Sequence, residues 1–207
     1  IIYNKSYGYH TYDKNNRVKN SDIYDLASLT KILVSVPLIM KEFENNDLNF
    51  DTTLKELFPD LDLLNKKDLK IDEILSHYAR LTPWIPFYKE TLDSISKKQL
   101  KEHYSNIKTE NFSVEVREGL FMRSWNDTIF KRIVNSDLLE KKEYKYSDLP
   151  YYLIKTFLEE KYSQTLDVLI NSYVFSKIGA NSLSYNPHKN KNIDMIIPSE
   201  NDTYFRD

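Results

Sequence analysis

From Leu29 to Phe43 the chain repeats apolar residues at helical spacing: Leu29, Ile32, Leu33, Val36, Ile39, Met40 and Phe43. That pattern predicts an amphipathic helix from about Ser28 to Phe43, with one face that must be buried. Pro37 removes one backbone donor and is expected to bend it. Asn45-Asn46-Asp47 closes it. Ser28 stands near the helix N-terminus and Lys31 lies one turn later on the same face. A serine hydroxyl is too weakly acidic to attack an acyl group unaided. A lysine desolvated by apolar neighbours has a lowered pKa and can take the proton. Unpaired N–H groups at the helix start would favour a developing oxyanion nearby. The S-x-x-K spacing alone is weak, because Ser94-Ile95-Ser96-Lys97 and Ser105-Asn106-Ile107-Lys108 match it too. Only Ser28 opens a strongly apolar helix.

At 207 residues the chain fits one domain, long enough to bury roughly 70% of its unfolded surface. Basic and acidic residues nearly cancel, 29 against 31, with no basic stripe, which argues against a nucleic-acid partner. No apolar run of about 20 residues is present, so no membrane span is expected. Cysteine is absent, which removes thiol catalysis and thiolate metal sites. The four histidines are dispersed, without metal-ligand spacing, so neither a metal nor a cofactor is expected. Only Gly8, Gly119 and Gly179 are glycines, and that excludes a P-loop or a G-x-G-x-x-G loop. The 16 tyrosines accompany abundant Asn, Lys and Ile, a bias that AT-rich codons would give any fold.

Residues 1–12 read as a strand followed by a turn at Asp13-Lys14-Asn15-Asn16. Short helices are expected near 53–58 and 71–77. Helical spacing returns over 114–133, with Val116, Leu120 and Ile129. The last clear helices are 149–162 and 165–178, the second capped by Gly179.

The octapeptide Tyr24-Asp25-Leu26-Ala27-Ser28-Leu29-Thr30-Lys31 resembles the nucleophile motif of the penicillin-recognising serine hydrolases. Those are the class C β-lactamases, the related D,D-peptidases and esterases of the same fold. Tyr146-Ser147-Asp148-Leu149 resembles their Tyr-x-Asn motif, with Asp for Asn. Pro83-Trp84-Ile85-Pro86-Phe87-Tyr88-Lys89-Glu90 is similar to the β-lactamase-like domain joined to family 3 glycoside hydrolases of the N-acetylglucosaminidase type. The likeness runs from Tyr7–Tyr12 to Pro198–Glu200. It implies an α+β fold: an antiparallel sheet with flanking helices, a helical lobe over roughly 50–180, and the active site between them. The third motif of such proteins, Lys-Thr-Gly or an equivalent, lies on a late sheet strand, and none follows Tyr146. The chain is therefore expected to be part of one serine hydrolase domain in a longer polypeptide, with an incomplete sheet and a covalently linked glycosidase. The periplasm or cell envelope is the implied location.

By the same resemblance Ser28 is the nucleophile, and Lys31 and Tyr146 move protons. Asp148 contacts substrate and the lysine, its charge keeping Lys31 protonated longer. Tyr104-Ser105-Asn106 matches Tyr-x-Asn literally, but no apolar helix follows it, whereas Leu149, Tyr152, Leu153, Phe157 and Leu158 follow Asp148. His77 lies in Leu75-Ser76-His77, like a family segment that continues Ser-Gly-Leu, and is read as a structural hydrogen-bonder. Arg80 replaces the glycine there; a positive φ at that position would cost about 1 kcal/mol. Trp84 and Phe87, with Tyr88, either line a substrate cleft or pack beneath the helical lobe. The expected activity is acyl-enzyme hydrolysis of a D-Ala cell-wall peptide, an acyl ester or a β-lactam. The alternative is a catalytically silent module that binds muropeptides for the glycosidase.

Overall fold

A computed structural model describes residues 3–189 and 191–199. The chain is α+β and helix-rich, with one small antiparallel sheet. The first long helix opens at Leu29, widens into a π-helical turn over Lys31–Ser35, and continues as α1, Val36–Glu44. The wide turn sits directly before Pro37, where Val36 N–H reaches back five residues to the Lys31 carbonyl. Proline cannot supply the next backbone donor, and π-turns are one way a helix absorbs such a gap. Val34, Leu38 and Ile39 are buried, while Leu29, Ile32 and Met40 remain exposed. The apolar pattern is thus wider than the face that the core takes.

Short helices α2 (Leu54–Leu57) and α3 (Ile71–Leu75) follow. Thr53 and Glu56 form a reciprocal cap that fixes where α2 begins. The sheet comprises β1 (Tyr104–Ser105), β2 (Val114–Arg117) and β3 (Leu120–Met122), in the order β1-β3-β2. Tyr104 pairs with Met122 and Glu115 with Phe121, and a bulge separates Glu115 from Arg117. After it come α4 (Asn126–Asn135), α5 (Leu149–Tyr162) and α6 (Leu166–Ile170). A second π-helical turn, Asn171–Phe175, extends α6. Helix α5 is central. Its Leu149, Leu153, Ile154, Phe157 and Leu158 are buried with Val34, Leu38, Leu54, Ile74, Ile133 and Leu169. Each such side chain contributes about 1.5–3 kcal/mol relative to exposure.

Two sequence expectations are corrected. Over 3–12 there is no strand: Tyr9 makes a single bridge to Arg17, closed by His10 N–H to Asn16 O at 2.9 Å. The turn at 13–16 folds residues 8–10 back beside 16–18, and among the described residues this pairing stops at the single bridge. Ile1 and Ile2 lie outside the described residues. The helix expected over 114–133 begins only at Asn126. Val114 and Val116 alternate at strand period, and Gly119, at φ +70°, makes the reversal between β2 and β3. The alternation and the glycine outweigh the helical spacing of Val116, Leu120 and Ile129.

Candidate active site

Ser28 is set at the start of its helix by a strained turn. Asp25 accepts the Ala27 N–H at 2.8 Å, and Ala27 takes φ +43°, a left-handed conformation unusual for alanine. Tight bonds from Leu29 N–H to Leu26 O and from Lys31 N–H to Ser28 O, 2.9 and 3.1 Å, then start the coil. Ser28 is exposed. The Lys31 ammonium donates to Ser28 Oγ at 2.9 Å and to Asp148 Oδ1 at 2.6 Å. Lys31 Nζ also lies over the rings of Tyr146 and Tyr151, 5.1 and 5.5 Å from their centroids. The Tyr146 hydroxyl feels both Lys31 and Ser28.

The second motif reaches this point because a loop straps it down. Asp148 N–H donates to Pro83 O at 2.8 Å, Ser147 Oγ to Thr82 O at 2.6 Å, and Lys145 N–H to His77 O at 3.0 Å. Ser147 N–H donates to His77 Nδ1 at 3.3 Å. Farther along, Leu139 N–H donates to Arg80 O at 2.7 Å, and Arg80 Nε returns to Leu139 O at 2.5 Å. His77 and Arg80 both have positive φ, +63° and +58°, so the arginine occupies the strained position that the sequence raised. Pro150, second in α5, needs no N–H partner in the first turn.

The electrostatics separate the two candidate bases. Burial pulls Lys31 down, but the hydrogen bond and charge of Asp148, with Tyr146, outweigh it, and the ammonium is held above the usual lysine value. Tyr146 moves the other way. Its hydrogen bonds to Lys31 and then Ser28 favour the phenolate and lower its pKa. The opposite shifts favour the ammonium at Lys31 and the phenolate at Tyr146.

The structure brings Ser28, Lys31, Tyr146 and Asp148 together and leaves the rival motifs apart. Tyr104 is buried in β1, its hydroxyl 2.7 Å from Thr91 Oγ1. Lys97 Nζ turns to the Ser94 carbonyl. Phe87 is half-buried against Tyr152, ring centroids 5.7 Å apart. Trp84 is 56% exposed and follows Pro83, the residue bonded to Asp148. The sequence reading missed Tyr151, although its i+3 spacing from Asp148 puts it on the same helix face. Two hollows among the described residues lie elsewhere, one beside His103 and Trp125, the other between α4 and α5. The polar convergence, not a cavity, locates the candidate site.

Residues 1–194 match the family described as Beta-lactamase. The chain belongs to the beta-lactamase family. Its fold is beta-lactamase-like. A crystal structure of a protein from Bacteroides dorei DSM 17855, named as a beta-lactamase, aligns with a TM-score of 0.47 and 14% identity. The alignment covers 71% of this chain and 36% of that one, so the chain spans about a third of that protein's length. No curated protein matches the sequence. No helix among the described residues is long and apolar enough to cross a membrane.

Proposed function

We propose that the chain carries an acyl-enzyme hydrolase centre acting on an ester or amide, with Ser28 as nucleophile and Tyr146 as proton acceptor. The observation that supports this most is the meeting of Lys31 Nζ with Ser28 Oγ and Asp148 Oδ1, from segments 117 residues apart. Ser28 Oγ attacks the carbonyl carbon as its proton passes to the Tyr146 phenolate. The Lys31 ammonium stabilises the negative charge on both oxygens. Collapse breaks the ester or amide bond, and the leaving oxygen or nitrogen takes the proton back from Tyr146. Water then attacks the acyl-Ser28 ester as its proton passes to Tyr146; collapse breaks the acyl–Oγ bond, Tyr146 returns that proton to Ser28 Oγ, and the acid leaves. Asp148 holds Lys31 charged throughout, so the lysine acts as an electrostatic partner rather than as the base.

Within that reaction class we favour a D-Ala cell-wall peptide over an acyl ester or a β-lactam. The support is the likeness of Pro83–Glu90 to domains joined to family 3 glycoside hydrolases, an argument from association. On this reading the partner is a covalently linked glycosidase and the setting is the periplasm or cell envelope. Treating the full-length polypeptide with a fluorescent fluorophosphonate, with the adduct mapped by mass spectrometry, tests the centre. Labelling at Ser28, lost in Ser28→Ala and blocked by D-Ala peptides better than by nitrocefin or a p-nitrophenyl ester, is expected. No adduct, together with calorimetric binding of muropeptides, would replace the hydrolase by the silent binding module.

A further inference from the structure

The imidazole of His77 lies outside the proton path but touches both halves of the second motif. Its ring centroid is 4.5 Å from that of Tyr146, tilted by 42°. Its Nδ1 receives the N–H of Ser147, the residue between Tyr146 and Asp148. A ring nitrogen that accepts a hydrogen bond carries no proton, so the neutral ring must hold its proton on Nε2. Tyr144 and Tyr151 flank the same ring, at 6.0 and 5.7 Å. We infer that His77 is a positioning residue which, while neutral, holds Tyr146 and Asp148 against Lys31, and which releases them when protonated. The inference rests on the acyl-enzyme reading of Ser28, Lys31 and Tyr146.

Protonation adds a hydrogen at Nδ1 that points at the Ser147 N–H. Two donors then face each other and the tether is lost. The charged groups around the ring are Lys31, from the nucleophile helix, and Asp148, at the start of α5. The ammonium opposes the imidazolium and the carboxylate favours it. Burial first, and then Lys31, hold His77 below the usual histidine range. The sign follows: the tether is intact at neutral and alkaline pH and is lost as pH falls through the depressed value. Positive φ at His77 is also met by a suitable residue, since His, Asn and Asp are the side chains enriched there.

Two substitutions separate the ring from the acceptor. His77→Asn tolerates the left-handed backbone and places Oδ1 near the Nδ1 position, as an acceptor that does not titrate. His77→Phe keeps a ring against Tyr146 and removes the acceptor. Displacing a catalytic group by an ångström can cost about a hundredfold, so His77→Phe is expected to slow Ser28 acylation by about tenfold or more at every pH. His77→Asn should acylate within about threefold of wild type at alkaline pH and lose the part of the acid-side fall that follows His77, keeping only the part set by protonation of Tyr146. The Ser147 amide resonance, followed by NMR, should move with the His77 ring titration in wild type and stay still in His77→Asn. A Ser147 resonance indifferent to that titration, or an unchanged acid-side fall in His77→Asn, overturns the inference. If wild type is acylated at no pH, the hydrolase reading fails, and the Ser147 titration still decides whether His77 holds the motif.

Discussion

Glu42→Gln tests how the two helices that carry the candidate site are kept in register. Lys31 and Asp148 join the front ends of the nucleophile helix and α5. At the rear, Glu42 accepts hydrogen bonds from Lys161 Nζ and from the Tyr162 hydroxyl, the latter at 2.5 Å. Glu42 is fully buried, while Lys161 also donates to Asp47 at 2.6 Å. Glutamine keeps the shape and removes the charge, turning two charge-assisted bonds into ordinary ones. Each such bond drops from about 1.5–3 to about 0.5–1.5 kcal/mol. Because Lys161 keeps Asp47, the net loss should be about 2 kcal/mol, or roughly 4–8 °C in Tm for a chain of this size. Burial, and then the Glu42 hydrogen bond, push Tyr162 up to about 12. A raised tyrosine stabilises the fold below its ordinary value and loses that contribution as pH climbs towards the folded one. The Tm gap between wild type and Glu42→Gln should therefore narrow between about pH 10 and 12. Thermal melts monitored by circular dichroism, combined with Lys161→Met in a double-mutant cycle, measure both effects. A coupling of about 0.5–3 kcal/mol is expected. If Lys161→Met destabilises Glu42→Gln as much as wild type, the rear tie does not exist energetically and the argument is refuted.

Tyr146→Phe should slow Ser28 acylation by about a hundred- to ten-thousand-fold through lost proton transfer, and Lys31→Ala by about a hundred- to a thousand-fold through lost electrostatic stabilisation. Tyr104→Phe should leave labelling alone and cost about 1 kcal/mol through its lost bond to Thr91; equal kinetic losses at both tyrosines would mean that the second motif lies elsewhere. Asp148→Asn keeps an acceptor for Lys31 but removes the charge that raises both Lys31 and Tyr146. The rising limb of the acylation–pH profile should move to lower pH, and a limb that stays put or moves up counts against the assigned electrostatics. The buried Lys66 ammonium donates to the Val134 carbonyl at 2.9 Å and to the Ser136 carbonyl at the end of α4. Lys66→Met strands both, and urea titration should show a loss of about 2–4 kcal/mol.

What could be read from the sequence was what periodicity and local chemistry decide. The helix after Ser28, α5 with its buried Leu149, Leu153 and Leu158, and Gly179 at φ +69° behind the extended α6 all follow from spacing and caps. The preference for Tyr146 over Tyr104 comes from the apolar helix behind Asp148, and in the structure that helix starts directly after Asp148, which meets Lys31. Illegible were features set by tertiary pairing. Ile23 bridges Ile196 from the far end of the chain, and Thr82 and Pro83 carbonyls hold Ser147 and Asp148. Backbone carbonyls leave no mark in a sequence, so the strap from residues 77–83 to 139–148 was invisible. The hairpin at 114–122 was misread because the apolar residues there fit both periods, and only Gly119 favoured the turn.

Three of the nine non-glycine residues with positive φ among those described lie beside the candidate chemistry. Ala27 at φ +43°, His77 at +63° and Arg80 at +58° border the nucleophile or hold the second motif, and the π-helical turn starts at Lys31 itself. Such conformations cost on the order of 1–3 kcal/mol each and persist only where surrounding bonds enforce them. Here the enforcing bonds are visible: Asp25 to Ala27, His77 to Lys145 and Ser147, and Arg80 to Leu139. These contacts come from the chain itself, and Asp148 takes part in them through its backbone N–H on the Pro83 carbonyl. What the aspartate changes is charge. It fixes Lys31 as an ammonium, and in the proposed reaction that leaves proton transfer to Tyr146, whose hydroxyl the same ammonium makes more acidic.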